Sequence, residues 1–149
     1  MRKSARLLSL ALVLVFVLAL PAQAVSPDTG VPYSSDYFVT NGAYLYQPTA
    51  GSLTFEVWFE TVAFGVMAEL GSTSIRVERS ENGVNGWTTV KTYTPAKYPQ
   101  MMSQNRCSYT ASVSYTGTAG YYYRAYVEFY AKNNSGSGYK YLYAEPLGL

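Results

Sequence analysis

The chain contains 149 residues, with eleven Lys and Arg against nine Asp and Glu, a single Cys and no His. Without histidine it lacks the usual general base, the usual activator of a Ser or Cys nucleophile and the commonest zinc ligand. A hydrolytic triad and an ordinary zinc site are therefore not expected. We predict no catalytic residue, no metal ligand and no cofactor.

The amino-terminal segment has the three parts of a secretory signal peptide. Residues 2–6 include three basic side chains, residues 7–20 are almost wholly apolar, and residues 22–24, Ala-Gln-Ala, supply the small side chains that signal peptidase requires. The apolar run is shorter than the ~20 residues that span a bilayer. We predict that residues 1–24 are a cleaved signal peptide, and that the protein is secreted without a stable membrane anchor.

Cleavage would change the charge, because the predicted signal peptide carries three basic residues and no acidic ones. Eight Lys and Arg would then face nine Asp and Glu, a net charge of about −1. Capture of nucleic acid or of an anionic membrane needs a clustered positive surface. Neither partner is expected.

The rest of the chain is predicted to form a lead-in and one domain. Residues 25–43 contain two prolines and few large apolar side chains, so we expect an extended or partly disordered segment. Residues 44–149 suit one domain with a modest core. The single cysteine, Cys107, begins an alternating run, and we predict that it is a small buried hydrophobe. A reactive thiol and an intermolecular bridge remain the alternatives.

Alternating apolar and polar residues between turn signals predict six or seven short strands and no long helix. The predicted strands cover residues 44–46, 53–60, 74–79, 87–93, 107–115, 120–131 and 139–144, and one helical turn is expected at 67–70. Two Asn-Gly pairs separate the third strand from the fourth, which is typical of a hairpin. The pattern predicts an all-β fold with two antiparallel sheets in a sandwich.

The strand at residues 120–131 has the clearest alternation and is predicted to be the central strand. Ala125, Val127 and Phe129 share one side of it, whereas the other side carries Arg, Glu and Tyr. Such a period of two belongs to a strand with one buried face and one solvated face. We predict that the Ala, Val and Phe side chains face the core.

Two regions resemble fibronectin type III domains. Residues 75–80 and 86–90 are similar to the middle hairpin of that family, and residues 120–136 are similar to its penultimate strand and final hairpin. Tyr123 stands in the place of the family's tyrosine-corner residue. The resemblance covers residues 51–146 and implies an immunoglobulin-like sandwich, but no activity. A leader followed by one tyrosine-rich domain also resembles small uncharacterised secreted proteins of Gram-positive bacteria.

Tyrosine is the compositional feature that points to function, with sixteen residues, all beyond the predicted signal peptide. Tyrosine offers a large contact area at low conformational cost. The predicted binding residues are Tyr122, Arg124, Tyr126, Glu128, Tyr130, Tyr139, Tyr141, Tyr143 and Trp58. The alternative is that cross-strand tyrosine pairs only stabilise the sheet. The register of the last strand also stays open, because Leu142 and Ala144 could face the core instead of its tyrosines.

The two tryptophans are treated separately. Trp87 opens a strand after a glycine and is predicted to be buried against the hairpin. Trp58 lies on the polar side of its strand, either exposed or covered by a loop. Glu56 and Glu60 flank it at a separation of roughly 13 Å, which exceeds the distance between the two carboxylates of a glycosidase. Enzymatic activity is therefore not expected.

Three functions are compatible with these patterns. The first is a secreted, non-catalytic binding module that contacts an extracellular protein, or another copy of itself, through its tyrosines. Arg76, Glu78, Arg124 and Glu128 would then set the register by pairing. The second is binding to a carbohydrate or cell wall by stacking on aromatic rings, namely Tyr122, Tyr126 and Trp58. The third is a structural matrix protein that self-associates through an exposed strand edge.

Overall fold

The computed structural model describes residues 36–149, which contain β-strands, one 3-10 turn and no α-helix. The strands are β1 (Phe38–Tyr46), β2 (Thr54–Met67), β3 (Glu69–Ser80), β4 (Thr88–Tyr93), β5 (Met102–Ser103), β6 (Arg106–Thr116), β7 (Tyr122–Asn133) and β8 (Gly136–Gly148), and the 3-10 turn is Pro99–Met101. The predicted signal peptide, residues 1–24, and residues 25–35 of the lead-in lie outside the described residues. Over the described range, no helix is long and apolar enough to span a bilayer.

The strands form two antiparallel sheets. The first sheet has the order β1-β2-β6, and the second has the order β4-β3-β7-β8, with β5 paired to β3. The predicted hairpin is confirmed, because β3 pairs with β4 in antiparallel register. This nearly all-β arrangement is compatible with a β-sandwich.

One hydrophobic core joins the two sheets. Its fully buried side chains come from alternate positions, among them Phe55, Val57 and Phe59 of β2 and Ala125, Val127 and Phe129 of β7. The ring centres of Phe59 and Phe129 lie 6.3 Å apart across the core. The prediction for the inward side of β7 is therefore confirmed. Because the inner sides of the sheets meet, their outward sides face opposite directions.

Two local predictions differ from the structure. The predicted helical turn at residues 67–70 is wrong, because Met67 ends β2 and Leu70 lies in β3, where it pairs with Ala131. Met67 and Leu70 are both buried, so strand pairing places both in the core. The first strand begins at Phe38 rather than at Tyr44, since it follows β2 as far as Ala63.

The predicted burial of Cys107 is also wrong, since this cysteine is free and exposed. It follows Arg106 at the start of β6, where the pairing with β2 shifts register between Val62 and Met67. Regular pairing would have continued the inward alternation of β6 to Cys107. The irregular stretch of β2 ends that alternation one step earlier, at Tyr109, which is partly buried.

Tyr123 closes the turn between β6 and β7. Its side chain is fully buried, and its phenol oxygen accepts a hydrogen bond of 2.8 Å from the backbone N–H of Thr118. Gly117 lies directly against the ring, because a Cβ at this position would come within 2.8 Å of the Tyr123 Cε2 atom. The turn is therefore held by one buried hydroxyl and by one position that excludes a side chain.

Candidate functional site

The outward side of β7 and β8 carries the predicted tyrosine rows. Tyr126 lies opposite Tyr143, and Tyr130 lies opposite Tyr139. The open question of the β8 register is resolved, since Ala144 is 1% exposed whereas Tyr139 is 42% exposed. We call this surface the tyrosine face; it comprises Tyr122, Arg124, Tyr126, Glu128 and Tyr130 of β7 and Tyr139, Tyr141 and Tyr143 of β8.

The rings of the tyrosine face contact one another across the two strands. The ring centre of Tyr126 lies 4.9 Å from that of Tyr143 and 5.6 Å from that of Tyr141, the latter pair being stacked. Tyr130 and Tyr139 are 4.9 Å apart. Aromatic pairs at such distances stabilise a sheet beyond the area that they bury. The rings of β7 and the rings of β8 therefore stabilise one another.

Two arginines lie over these rings. The Arg124 Cζ atom is 4.4 Å from the ring centres of both Trp87 and Tyr143, and the Arg76 Cζ atom is 4.4 Å from the ring centre of Tyr126. A guanidinium over an aromatic face is attracted by the ring quadrupole. The order of contacts across the sheet is Trp87, Arg124, Tyr143, Tyr126 and Arg76, which we call the ring–cation ladder.

The carboxylates of this face are also bound within the molecule. The Arg124 Nε atom donates to Glu78 Oε2 at 2.8 Å, and Glu78 is 8% exposed. Glu128 accepts a hydrogen bond from the Thr73 hydroxyl. The predicted register pair of Glu78 and Arg124 therefore forms within one chain. Since Arg76 and Arg124 offset Glu78 and Glu128, the centre of the face is close to neutral.

The environment of Tyr126 affects its ionisation. Burial raises the pKa of this phenol above its ordinary value, and Tyr141, Glu128 and Tyr143 act in the same direction. The Arg76 guanidinium opposes the rise. The Tyr126 phenol is therefore harder to ionise than a solvated tyrosine.

At one end of the tyrosine face, Tyr122 packs on glycine backbone. A Cβ at Gly83 would lie 2.9 Å from the Tyr122 ring, and one at Gly148 would lie 3.1 Å from it. The side chain is nevertheless 41% exposed. The Tyr122 ring thus packs on backbone on the protein side and is accessible on the solvent side.

Trp58 does not belong to this surface. It lies on the outward side of the first sheet, opposite Tyr44 of β1, with the two rings parallel within 8° and their centres 6.3 Å apart. Its indole Nε1 donates to Glu56 Oε2 at 2.6 Å. Trp58 is half-buried by a neighbouring strand rather than by a loop. The three rings predicted to stack on sugars, Tyr122, Tyr126 and Trp58, therefore do not share a surface.

Trp87 takes a position that the sequence did not predict. It is half-buried rather than buried, and it lies under the Arg124 guanidinium at the end of the ring–cation ladder. Its indole N–H also donates to the Val84 carbonyl oxygen at 3.3 Å. The available signal in the sequence was its position directly before β4, beside the hairpin turn. Alternation alone does not show which β7 side chain it meets.

A polar cleft of about 290 Å³ lies at the tip of the β3–β4 hairpin. Arg79 and Tyr121 line it, with the Arg79 Cζ atom 4.4 Å from the Tyr121 ring centre. Ser80, Asn82 and Asn85 also line the cleft and hydrogen-bond one another. Within residues 36–149, no three His, Cys, Asp or Glu side chains are grouped so that they could hold a metal ion.

Comparison with protein-family models finds no matching family, and comparisons with curated proteins and with solved structures find no match either.

Proposed function

We propose that this chain is a secreted, non-catalytic binding module with an immunoglobulin-like β-sandwich fold of the fibronectin type III kind. The strand order supports the fold, because β4 joins the β3-β7-β8 sheet as an added strand joins the equivalent sheet of immunoglobulin-like domains. The hydrogen bond from the Thr118 N–H to the Tyr123 phenol supports it independently. It matches a tyrosine corner, in which a tyrosine near the start of the penultimate strand bonds to the backbone shortly upstream.

In this proposal the tyrosine face contacts an extracellular protein. The observation that carries it is the ring–cation ladder, which holds the Tyr126 and Tyr143 rings in place, while Tyr122, Tyr139, Tyr141 and Tyr143 remain between 36% and 42% exposed. Rings that are already ordered lose little conformational entropy when a partner binds. A rigid row of aromatic side chains with hydroxyl groups is typical of protein-binding surfaces.

The charge distribution indicates how such a partner would be held. Glu78 and Arg124 pair within the molecule, and Arg76 lies on Tyr126. Few charges at the centre of the face are therefore left to attract a charged partner over a distance. We expect binding that depends on shape and apolar area and changes little with ionic strength.

The test is a comparison of matched tyrosine variants. Tyr122→Ser and Tyr139→Ser together remove two exposed rings and leave the ladder intact. Tyr46→Ser is the control, since Tyr46 is 49% exposed but lies on the first sheet. Photo-crosslinking in the native extracellular medium, read by mass spectrometry, should yield one protein that is lost with the double variant and kept with the control. If the crosslinked protein is lost in both variants or retained in both, the tyrosine face is not the binding surface.

Self-association needs its own measurement, because the partner in this proposal includes a second copy of the chain. For a partner that is a second copy, sedimentation velocity over a range of concentrations should show a dimer for the unaltered chain and a monomer for the Tyr122→Ser, Tyr139→Ser variant; a monomer for both assigns the face to a different protein. A dimer that survives in the variant would assign self-association to another surface.

A further inference from the structure

The outward side of the first sheet carries a second organised set of side chains. Glu56, Trp58 and Glu60 alternate along β2, and the register places Tyr44 of β1 and Ser112 of β6 on either side of Trp58. We call these five residues the glutamate–tryptophan face. It points away from the tyrosine face, because the two sheets meet through their inner sides.

This surface carries negative charge without a cation. Within residues 36–149, ion pairs join Arg124 to Glu78 and Lys132 to Glu69, and neither Glu56 nor Glu60 takes part in one. The cross-strand neighbours of the two glutamates are neutral: Tyr46 and Ser114 beside Glu56, and Gly42 and Thr110 beside Glu60. Two carboxylates therefore remain on a sheet surface whose nearest side chains cannot balance them.

The Trp58 ring, between the two glutamates, is held in one orientation before any partner binds. Its indole N–H is bound to Glu56, and Tyr44 lies parallel to it on one side. Ser112, the neighbour on the other side, is too small to cover an indole. One side of the Trp58 ring thus faces a small hydroxyl side chain and leaves room for a flat group.

The tyrosine face shows which group fits such a combination. There, the Arg124 guanidinium lies 4.4 Å from the centres of two aromatic rings and donates to a carboxylate at 2.8 Å. The glutamate–tryptophan face repeats the rings and the carboxylates. The guanidinium of its strands, Arg106 at the start of β6, lies opposite Met67 beyond the register shift and forms no ion pair with Glu56 or Glu60. A planar cation satisfies both features, by stacking on the ring and by hydrogen bonding to the carboxylates.

We propose that the glutamate–tryptophan face binds arginine side chains of an extended segment of a partner protein. One guanidinium stacks on the open side of Trp58, and neighbouring arginines pair with Glu56 and Glu60. These glutamates are four positions apart on a strand, roughly 13 Å, which is also the separation of residues i and i+4 in an extended peptide. Three arginines at positions i, i+2 and i+4 of such a segment can therefore lie opposite Glu56, Trp58 and Glu60.

The experiment titrates the purified chain with a short peptide in which arginine alternates with glycine. The indole N–H signals of Trp58 and Trp87 in a proton–nitrogen NMR spectrum report the site. We expect saturable movement of the Trp58 signal, binding weaker by about tenfold when citrulline replaces arginine, and weakening by salt. Citrulline is the control for shape, because it is nearly isosteric with arginine and neutral.

Variants assign the effect to named side chains. Glu56→Gln with Glu60→Gln should weaken binding by about tenfold, since both charges are lost while an amide oxygen still accepts the Trp58 indole N–H. Glu128→Gln, on the tyrosine face, should leave binding unchanged. Tyr122→Ser with Tyr139→Ser should also leave it unchanged, so failure here and failure of the proposed function are distinguishable.

Several results would overturn the proposal. Equal affinity for the citrulline peptide would show that binding does not require a cation. Equal affinity for a lysine peptide would show that binding does not require a planar guanidinium. Movement of the Trp87 signal alone would place the site on the other sheet. Displacement of the peptide by neutral saccharides at lower concentration than by free arginine would make this a sugar site. An unmoved Trp58 signal at millimolar peptide would exclude binding.

Discussion

The two outward faces use similar aromatic and acidic side chains but differ in where their cations come from. On the tyrosine face, Arg124 and Arg76 lie on rings of the same sheet. On the glutamate–tryptophan face, Trp58 and Tyr44 lie beside the carboxylates of Glu56 and Glu60, which form no ion pair with any cation of the sheet. The first face is thereby neutral and stiff, whereas the second is complementary to a charge from outside the molecule.

The same comparison separates two roles of tyrosine. Tyr126 is half-buried beneath Arg76 and packs against two further rings, which makes it part of the sheet's own support. Tyr122 and Tyr139 are more exposed and lie outside the ladder. The alternatives of a stabilising role and a binding role therefore apply to different tyrosines of one face.

The largest expected effect comes from breaking the ladder at Arg124. Arg124→Met leaves the nearly buried Glu78 carboxylate without its cation and removes the contact with Trp87 and Tyr143. We expect the free energy of unfolding to fall by about 2–3 kcal/mol, less than for a fully buried pair because Arg124 is partly exposed. Urea unfolding measures it. Glu60→Gln, the matched change on the other face, should cost less than about 0.5 kcal/mol. Equal losses in the two variants would remove the distinction between the faces.

Alkaline pH tests a phenol that lies between the sheets rather than on either face. Burial, reinforced by Tyr98 and Tyr115, raises the pKa of Tyr93 from 10.0 to about 12, and its hydroxyl donates to the Ser114 carbonyl oxygen at 2.7 Å. The folded state then holds this proton more tightly than the unfolded chain. Its contribution is complete below pH 10 and is lost as the pH rises from 10 to 12, by about 2 kcal/mol.

The measurement for this prediction is urea unfolding at several pH values between 9 and 12, compared with a Tyr93→Phe variant. The variant lacks the titrating group and should lose less stability over that interval, although it is less stable at neutral pH. Parallel pH curves for the two proteins would contradict the assignment to Tyr93.

A smaller effect is expected for the central ring of the tyrosine face. Tyr126→Leu removes the surface on which Arg76, Tyr141 and Tyr143 pack, and should cost about 1–1.5 kcal/mol. Tyr122→Ser, at the exposed end, should cost less than about 0.5 kcal/mol. Thermal unfolding of the two variants checks the order. A greater loss for the exposed position would reverse the roles that we assign to the two tyrosines.

A still smaller effect on stability than at Tyr126 is expected at Trp58. Trp58→Leu removes the stacking on Tyr44 and a hydrogen bond to a partly exposed carboxylate, with a cost below about 1 kcal/mol. The same variant should abolish the NMR response of other first-sheet signals to the arginine peptide. Chemical denaturation and peptide titration of one sample distinguish a binding residue from a structural one.

Alternation along the chain was sufficient to predict the best-defined strands and their inward sides. Ala125, Val127 and Phe129 occupy the core as expected, and the β3–β4 hairpin follows its Asn-Gly turns. A period of two depends only on the local chain and on one apolar side, and both can be read from neighbouring residues. The tyrosine face of β7 was predictable for the same reason.

Alternation could not assign a strand to a sheet. Trp58 and Tyr126 are both outward residues, but they belong to different sheets and point in opposite directions. The contact of Arg124 with Trp87 also depends on which strand β4 pairs with. The exposure of Cys107 depends on the register shift in its partner strand, β2. Each of these is a property of pairing between distant segments. The register of β8 was undecided because both of its sides carry apolar atoms.

Tyr122 and Tyr123 offer the most direct test, because they are adjacent in the chain but lie on opposite sides of β7. Tyr122 is 41% exposed and belongs to the tyrosine face, whereas Tyr123 is fully buried under the β6–β7 turn. Tyrosine-directed chemical modification of the folded chain, followed by peptide mass spectrometry, measures both residues in one sample. We predict rapid modification of Tyr122 and protection of Tyr123 until the chain unfolds. Equal rates at the two positions would contradict the inward and outward assignment on which both proposed surfaces depend.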